Sequence, residues 1–236
     1  MSELGFVVLV SWLAGFAAFI GGILSHAEGS PETEAKREII HGVIALGGGI
    51  LLAAVAFALV PVGMVLLSPL VLSGCILAGG VSFCFLDVFL SKHGGAKSQF
   101  TAMLVDFIPE AISLGAVFVH DHRLGYLLAL FIGAQNLPEG FNAFRELQKL
   151  GIKWRVALVA LLSVSLLGPI AASAGFFFLD DLPKLTAGIM AFSGGGIMYL
   201  IFQDIAPQAK LRRHWTPPLG AVVGFLLGAL GKQMIG

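Results

Sequence analysis

Asp106-Phe107-Ile108-Pro109-Glu110-Ala111 and Gln135-Asn136-Leu137-Pro138-Glu139-Gly140 are near copies of one another, each with a glutamate directly after a proline. Each lies near the middle of an apolar run long enough to cross a bilayer. An ionised glutamate in hydrocarbon is costly, so intramembrane carboxylates face a protein-lined or watery path and carry function. Two such motifs in one chain point to a cation site inside a membrane.

The composition agrees. Of 236 residues, 57% are hydrophobic and 12% charged, and mean hydropathy is +0.93; soluble domains carry about 25% charged residues. A formal net charge of zero gives no footing to a nucleic-acid partner. Cys75 and Cys84 fall on opposite sides of one predicted helix, so neither a disulfide nor a metal-type CxxC is expected. The apolar run Leu4 to Leu24 is preceded only by Met1, Ser2 and Glu3, without the basic region of a secretory signal, and reads as a retained spanning helix.

A spanning helix needs about 20 mostly apolar residues. That rule predicts eight: 5–24, 38–60, 66–91, 98–119, 124–147, 154–179, 184–206 and 217–235. The expected fold is an all-α membrane bundle in one domain covering residues 1–236. Lys36, Arg37, Lys92, Lys97, Arg145, Lys149, Lys153, Arg155, Lys210, Arg212 and Arg213 all fall on one side, and Arg123, Lys184 and Lys232 on the other. Short loops rich in Lys and Arg stay cytoplasmic, so both termini are expected outside the cytoplasm, with the cell inner (plasma) membrane as the location.

Gly47-Gly48-Gly49-Ile50 leads into an apolar run ending at Pro61, and Gly194-Gly195-Gly196-Ile197 into one ending at Pro207. These lie in the second and seventh predicted helices, which run in opposite directions. Inverted repeats mark transporters, with the site at the repeat interface; the alternative is that glycine runs recur in any tightly packed bundle.

Asp106 and Glu110 are four residues apart, as are Gln135 and Glu139, which stacks each pair on one helix face. Pro109 and Pro138 donate no backbone hydrogen bond, freeing or weakening the carbonyls of Val105 and Ala134, and such carbonyls are tolerated at membrane depth where they line a cavity. Three carboxylates and an amide oxygen are thus offered around one point. The bland alternative is kinked helices holding protonated, hydrogen-bonded packing residues.

These residues resemble the ZIP family of divalent-metal transporters, whose members have eight spanning helices, both termini outside the cytoplasm, and His-Asn-x-Pro-Glu-Gly and Gln-Asn-x-Pro-Glu-Gly type motifs in helices four and five. Gln135-Asn136-Leu137-Pro138-Glu139-Gly140 matches the fifth-helix motif in full. The fourth-helix motif matches at Pro109 and Glu110, with Asp106 where the family often has His. The resemblance implies a metal site of Asp106, Glu110, Gln135 and Glu139, with Asn136 as a further ligand or supporting group. Where the family often holds a second metal, this chain has Phe107 and Gly168, neither able to ligate, so a single-metal centre is expected.

Oxygen-only ligands suit harder cations such as Mn²⁺ or Mg²⁺, while imidazole favours Zn²⁺ and Fe²⁺; the resemblance pulls toward Zn²⁺ and Fe²⁺. The expected function is transport of a divalent cation (Zn, Fe, Mn or Cd) toward the cytoplasm, with no cofactor beyond the cargo. The partners are metal ions and the lipid bilayer, and homodimerisation is left open. The alternatives are a metal-binding relative with a regulatory role and, behind it, an intramembrane metalloenzyme, against which the absence of HExxH speaks.

Secondary candidates are His120, Asp121 and His122 in a predicted external turn, as metal capture or simply as turn residues. Gln203 and Asp204 stand where the family tends to have a His-Glu pair, as an accessory site or a helix end. Asp87 is isolated in helix three. His26, Glu28, Glu32 and Glu34 read as a weak sensor or as solvated residues, and His41, His93 and His214 as solvated residues.

Overall fold

The computed structural model describes residues 2–29, 33–93, 98–179, 181–211 and 215–235, and leaves out the side chains of 90–93, 98, 99 and 102. Glu32, Lys97, Arg212, Arg213 and His214 lie outside the described residues, as do the side chains of Lys92 and His93. All regular structure among the described residues is helical: α1 (Glu3–Glu28), α2 (Glu34–Leu66), α3 (Pro69–His93), α4 (Ser98–Phe118), α5 (His122–Lys149), α6 (Trp154–Phe178), α7 (Pro183–Ala209) and α8 (Leu219–Ile235). Five of these are long and apolar enough to cross a membrane, namely α1, α2, α3 over Pro69–Phe89, α6 and α7. The 17-residue α8 is apolar but shorter, and α4 and α5, which bear the two Pro-Glu motifs, are not in that set. The chain is an α-helical membrane protein.

Several helices run past the ends that apolarity alone predicts, because their polar ends are capped. Ser2, Thr33 and Asp121 accept hydrogen bonds from the amides of Gly5, Lys36 and Leu124, satisfying donors that a helix start leaves open. The predicted connection 25–37 therefore shrinks: His26 and Glu28 are in α1, and Glu34, Lys36 and Arg37 in α2.

Prolines act in two ways. Pro61 and Pro207 clash with the carbonyls four residues back, Phe57 and Gln203. Both lie inside single π-helical turns, Val55–Leu59 in α2 and Ile201–Ile205 in α7, which absorb the missing bond by widening. Each π turn follows its Gly-Gly-Gly-Ile segment at nearly the same distance. Pro109 and Pro138, by contrast, sit inside continuous α-helix. A third interruption splits α6 at Leu166, just before Gly168-Pro169.

Glycine decides which helices meet most closely. With lipid on all sides, helices associate through packing and small residues rather than hydrophobicity. In α1/α5, a Cβ on Gly140 would lie 2.1 Å from the Ala18 carbonyl oxygen, and one on Gly21 2.0 Å from that of Leu137. In α2/α8 the pairs are Gly49 with Ala221 and Gly224 with Leu46; in α3/α7, Gly79 with Phe192 and Gly195 with Ile76; in α4/α6, Gly115 with Ala172 and Gly175 with Ile112. Each interface thus takes at least one glycine from each partner.

The contacts also give relative direction. Along α2/α8 they advance from Gly42–Gly220 through Leu46–Gly224 to Ala53–Gly228, and along α3/α7 from Cys75–Gly188 to Phe83–Gly196 and Asp87–Tyr199, so both pairs are parallel. The α1/α5 pair is parallel too, from Ala14–Gly133 to Gly22–Phe144. Between α2 and α7 they reverse: Gly48 meets Ile205, Gly194 meets Val55, Leu59 and Val60, and Gly63 meets Ala187.

Two groups of helices emerge. α1, α4, α5 and α6 each touch the other three. α2, α3, α7 and α8 are joined through α2/α8, α2/α7 and α3/α7. The groups meet mainly where α5 lies on α2 and α4 on α7. A buried apolar core that includes Val7, Leu51, Leu59, Leu114, Phe131, Leu161 and Met190 runs through both.

Candidate metal centre

α4 and α5 are joined by the short turn at 119–121 and pack against each other, which brings the two motifs together. Asp106 and Glu110 are both 2% exposed, and Gln135 and Asn136 both 1%. One direct bond crosses between the motifs: Gln135 Nε2 donates to Glu110 Oε2 at 2.6 Å. Asp106 and Glu139 both lie within electrostatic range of Glu110, and Asp106 within range of Glu139. No ion pair to any of the three is found among the described residues.

Two oxygens at this place are unsatisfied. Asp106 Oδ1 and Gln135 Oε1 are buried without a hydrogen-bond partner. Orphaned buried acceptors are rare and point to an absent water or ion. Among the described residues no three His, Cys, Asp or Glu side chains converge tightly enough to hold a metal ion. Like charges without a cation between them repel, so a closed cage is not the arrangement their electrostatics favours.

Asn136, a candidate ligand on sequence grounds, is placed differently. Its Nδ2 donates to the Ala14 carbonyl at 3.0 Å, so its amide group ties α5 to α1. Asn136→Ala is expected to cost about 1–2 kcal/mol, because a buried carbonyl loses its donor, read as a lower melting temperature in detergent. Within α4, Ser113 Oγ donates to the Pro109 carbonyl at 2.8 Å.

The two departures from the family pattern face each other. The Phe107 ring, 1% exposed, lies against α1 and α6: a Cβ on Gly15 would come within 2.9 Å of Phe107 Cζ, and one on Gly168 within 2.8 Å. A large ring and two missing side chains fill one volume. Sequence alone names both positions but not their contact.

Several of the secondary candidates are engaged elsewhere. Asp121 caps α5, and His122 Nε2 lies 3.7 Å from Glu3 Oε1 at the start of α1. Tyr199 OH and Gln203 Nε2 both donate to Asp87 Oδ2, at 3.1 and 3.2 Å, so Gln203 and Asp87 link α7 to α3. Asp204 lies within electrostatic range of Asp87 and Glu146. His26 stacks on Trp154 at 4.7 Å, Glu28 pairs with Arg145 at 2.7 Å, and His41 Nδ1 is bonded to the Gln208 carbonyl. His26 and Glu28, the sensor candidates, thus each have a partner in the fold, and Glu28 Oε1 is buried without a hydrogen-bond partner among the described residues.

Fold and site together define an α-helical membrane protein with two buried acidic motifs facing each other on adjacent helices. No family model matches the chain. Among curated proteins it is similar to Zinc transporter GufA of Myxococcus xanthus, 33% identical over 154 residues, which are 61% of this chain and 59% of that protein. The chain thus spans about three fifths of the length of the curated relative it matches. This similarity supports the resemblance to the ZIP family of divalent-metal transporters.

Proposed function

We propose that the protein is a ZIP-family transporter that carries a divalent metal ion across the membrane toward the cytoplasm, through one midplane site on α4 and α5. Asp106, Glu110, Gln135 and Glu139 supply the ligands, and Asn136 holds α5 in place from beside them. The observation that carries this reading is the buried Glu110–Gln135 contact with orphaned oxygens on Asp106 and Gln135. Three carboxylates that repel one another at membrane depth are offset most simply by a cation, and cargo of +2 charge draws them together.

Eight crossings in alternating direction account for the relative senses of the helices. In such a bundle, helices an even number apart are parallel, as α1/α5, α2/α8 and α3/α7 are, and those an odd number apart antiparallel, as α2/α7 are. With eight crossings, both termini lie on the side poor in Lys and Arg, outside the cytoplasm.

An inverted repeat accounts for the packing. Exchanging α1 with α6, α2 with α7, α3 with α8 and α4 with α5 turns the α1/α5 interface into α6/α4 and α2/α8 into α7/α3, and turns the α2/α5 junction into α7/α4. All of these contacts occur. The same exchange pairs the two π turns and the two Gly-Gly-Gly-Ile segments. Alternating access then follows from rocking α1, α4, α5 and α6, which carry the site, against α2, α3, α7 and α8.

The relative's name favours zinc, and carboxylates bind Zn²⁺ well, while an all-oxygen set leaves room for Mn²⁺, Fe²⁺ and Cd²⁺. The Phe107 ring against Gly168 favours a single ion. A transporter reading also displaces the enzyme alternative. Equilibrium binding to the purified protein tests the stoichiometry: one Zn²⁺ per chain at the high-affinity site is expected, and two of equal affinity would overturn the single-ion reading.

A further inference from the structure

On the Lys- and Arg-rich side, the ends of α1 and α5 enclose a pocket of about 420 Å³. It is lined by Ser25, His26, Gly29, Phe144, Arg145, Gln148 and Lys149, none of them part of the metal centre. From the geometry we infer that this pocket binds the phosphate of an anionic membrane lipid.

Three observations converge. Among the described residues Arg145 spends only Nη1, donating to Glu28 Oε2 at 2.7 Å and to the Gly29 carbonyl at 3.2 Å. Nε and Nη2 therefore keep donors for a ligand. Glu28 cancels one charge, and Lys149 adds another that has no partner among the described residues. Ser25 is 3% exposed and its Oγ is buried without a hydrogen-bond partner. A serine hydroxyl so placed calls for a partner, and the described residues supply none. Gln148 contributes wall rather than donor, since its Nε2 is engaged by the Ile152 carbonyl at 2.6 Å.

The position selects a lipid. α1 and α6 are both long and apolar enough to cross the membrane, and the pocket lies where one ends and the other begins. Trp154, stacked on His26 and under Arg155 at 5.1 Å, is the kind of aromatic that settles at headgroup level. Basic pockets between spanning helices at that level take phospholipid headgroups. The reading depends on the membrane crossing of α1 and α6 and not on the metal cargo, so a failure of metal transport leaves it standing.

Native mass spectrometry of the purified protein in detergent, with added phosphatidylglycerol or phosphatidylcholine of matched chains, tests it. Preferential retention of phosphatidylglycerol is expected, falling about fivefold in Lys149→Ala, the effect of one basic group near a lipid surface. Ser25→Ala is expected to weaken retention as well, while Lys184→Ala, on the opposite side, leaves it unchanged. Equal retention of the two lipids overturns the proposal. So does a preference that survives both pocket variants, and so does displacement of the lipid by inorganic phosphate, which would make this a site for the free anion.

Discussion

Alanine at Glu110 or at Glu139 lowers divalent-metal affinity by at least about a hundredfold, while the protein stays folded. Groups that merely support a metal ligand alter affinity by about 10–100-fold, and loss of a ligand exceeds that. Stability moves little, for an electrostatic reason. Asp106, Glu110 and Glu139 lie within range of one another without a paired cation among the described residues, so removing one relieves repulsion rather than stranding a partner charge. Glu110→Ala does strand the Gln135 amide that donates to it, at a cost of about 1–3 kcal/mol. Glu139→Ala carries no such cost, which makes it the cleaner variant. Calorimetric titration with Zn²⁺ beside thermal melting separates the two effects, and undiminished affinity in a folded Glu139→Ala protein would remove that residue from the site.

Valine at Gly140 destabilises the fold by at least about 3 kcal/mol, the upper part of the range for overpacking. Its Cβ would enter at 2.1 Å from the Ala18 carbonyl oxygen and 2.5 Å from the Ala18 Cα. These are backbone atoms of α1 and no rotamer change moves them. Since α1 also receives the Asn136 bond, separating α1 from α5 disturbs the motif helix itself. Gly74→Ala is the control: among the described residues no atom of another helix lies within 4 Å of its Cβ, and replacing glycine within a helix gains roughly 0.5–1 kcal/mol. Melting curves in one detergent should show Gly140→Val far below the parent and Gly74→Ala at or above it.

How much of this was legible in the sequence follows from what kind of signal each feature leaves. Apolar runs mark hydrocarbon, so the helical segments could be read, but not the ends of α1 and α2, where Ser2 and Thr33 caps carry helix into polar sequence. Pro61 and Pro109 look alike on paper. One sits after a π turn and the other inside continuous α-helix, a difference that the proline itself does not announce. Glycine frequency announces tight packing without naming partners: Gly115 meeting Ala172 depends on tertiary structure. Spacing put Asp106 with Glu110 and Gln135 with Glu139, and the α4–α5 contact joins those pairs. Spacing could not show that Asn136, one residue from Gln135, turns its amide group toward Ala14 on α1. Nor could it show that Phe107 and Gly168, 61 positions apart by their numbers, fill one volume.

The central claim is transport through the carboxylate site, and zinc uptake into sealed proteoliposomes tests it most directly. Wild-type protein, Glu110→Ala and Glu139→Ala would be reconstituted in parallel and compared with protein-free vesicles, with Mn²⁺, Fe²⁺, Cd²⁺ and Mg²⁺ run beside Zn²⁺ to rank the cargo. Uptake by the wild type that falls to the protein-free level in both variants is the predicted result. Absence of uptake of every ion by a folded wild type, or uptake that both variants retain, would contradict it.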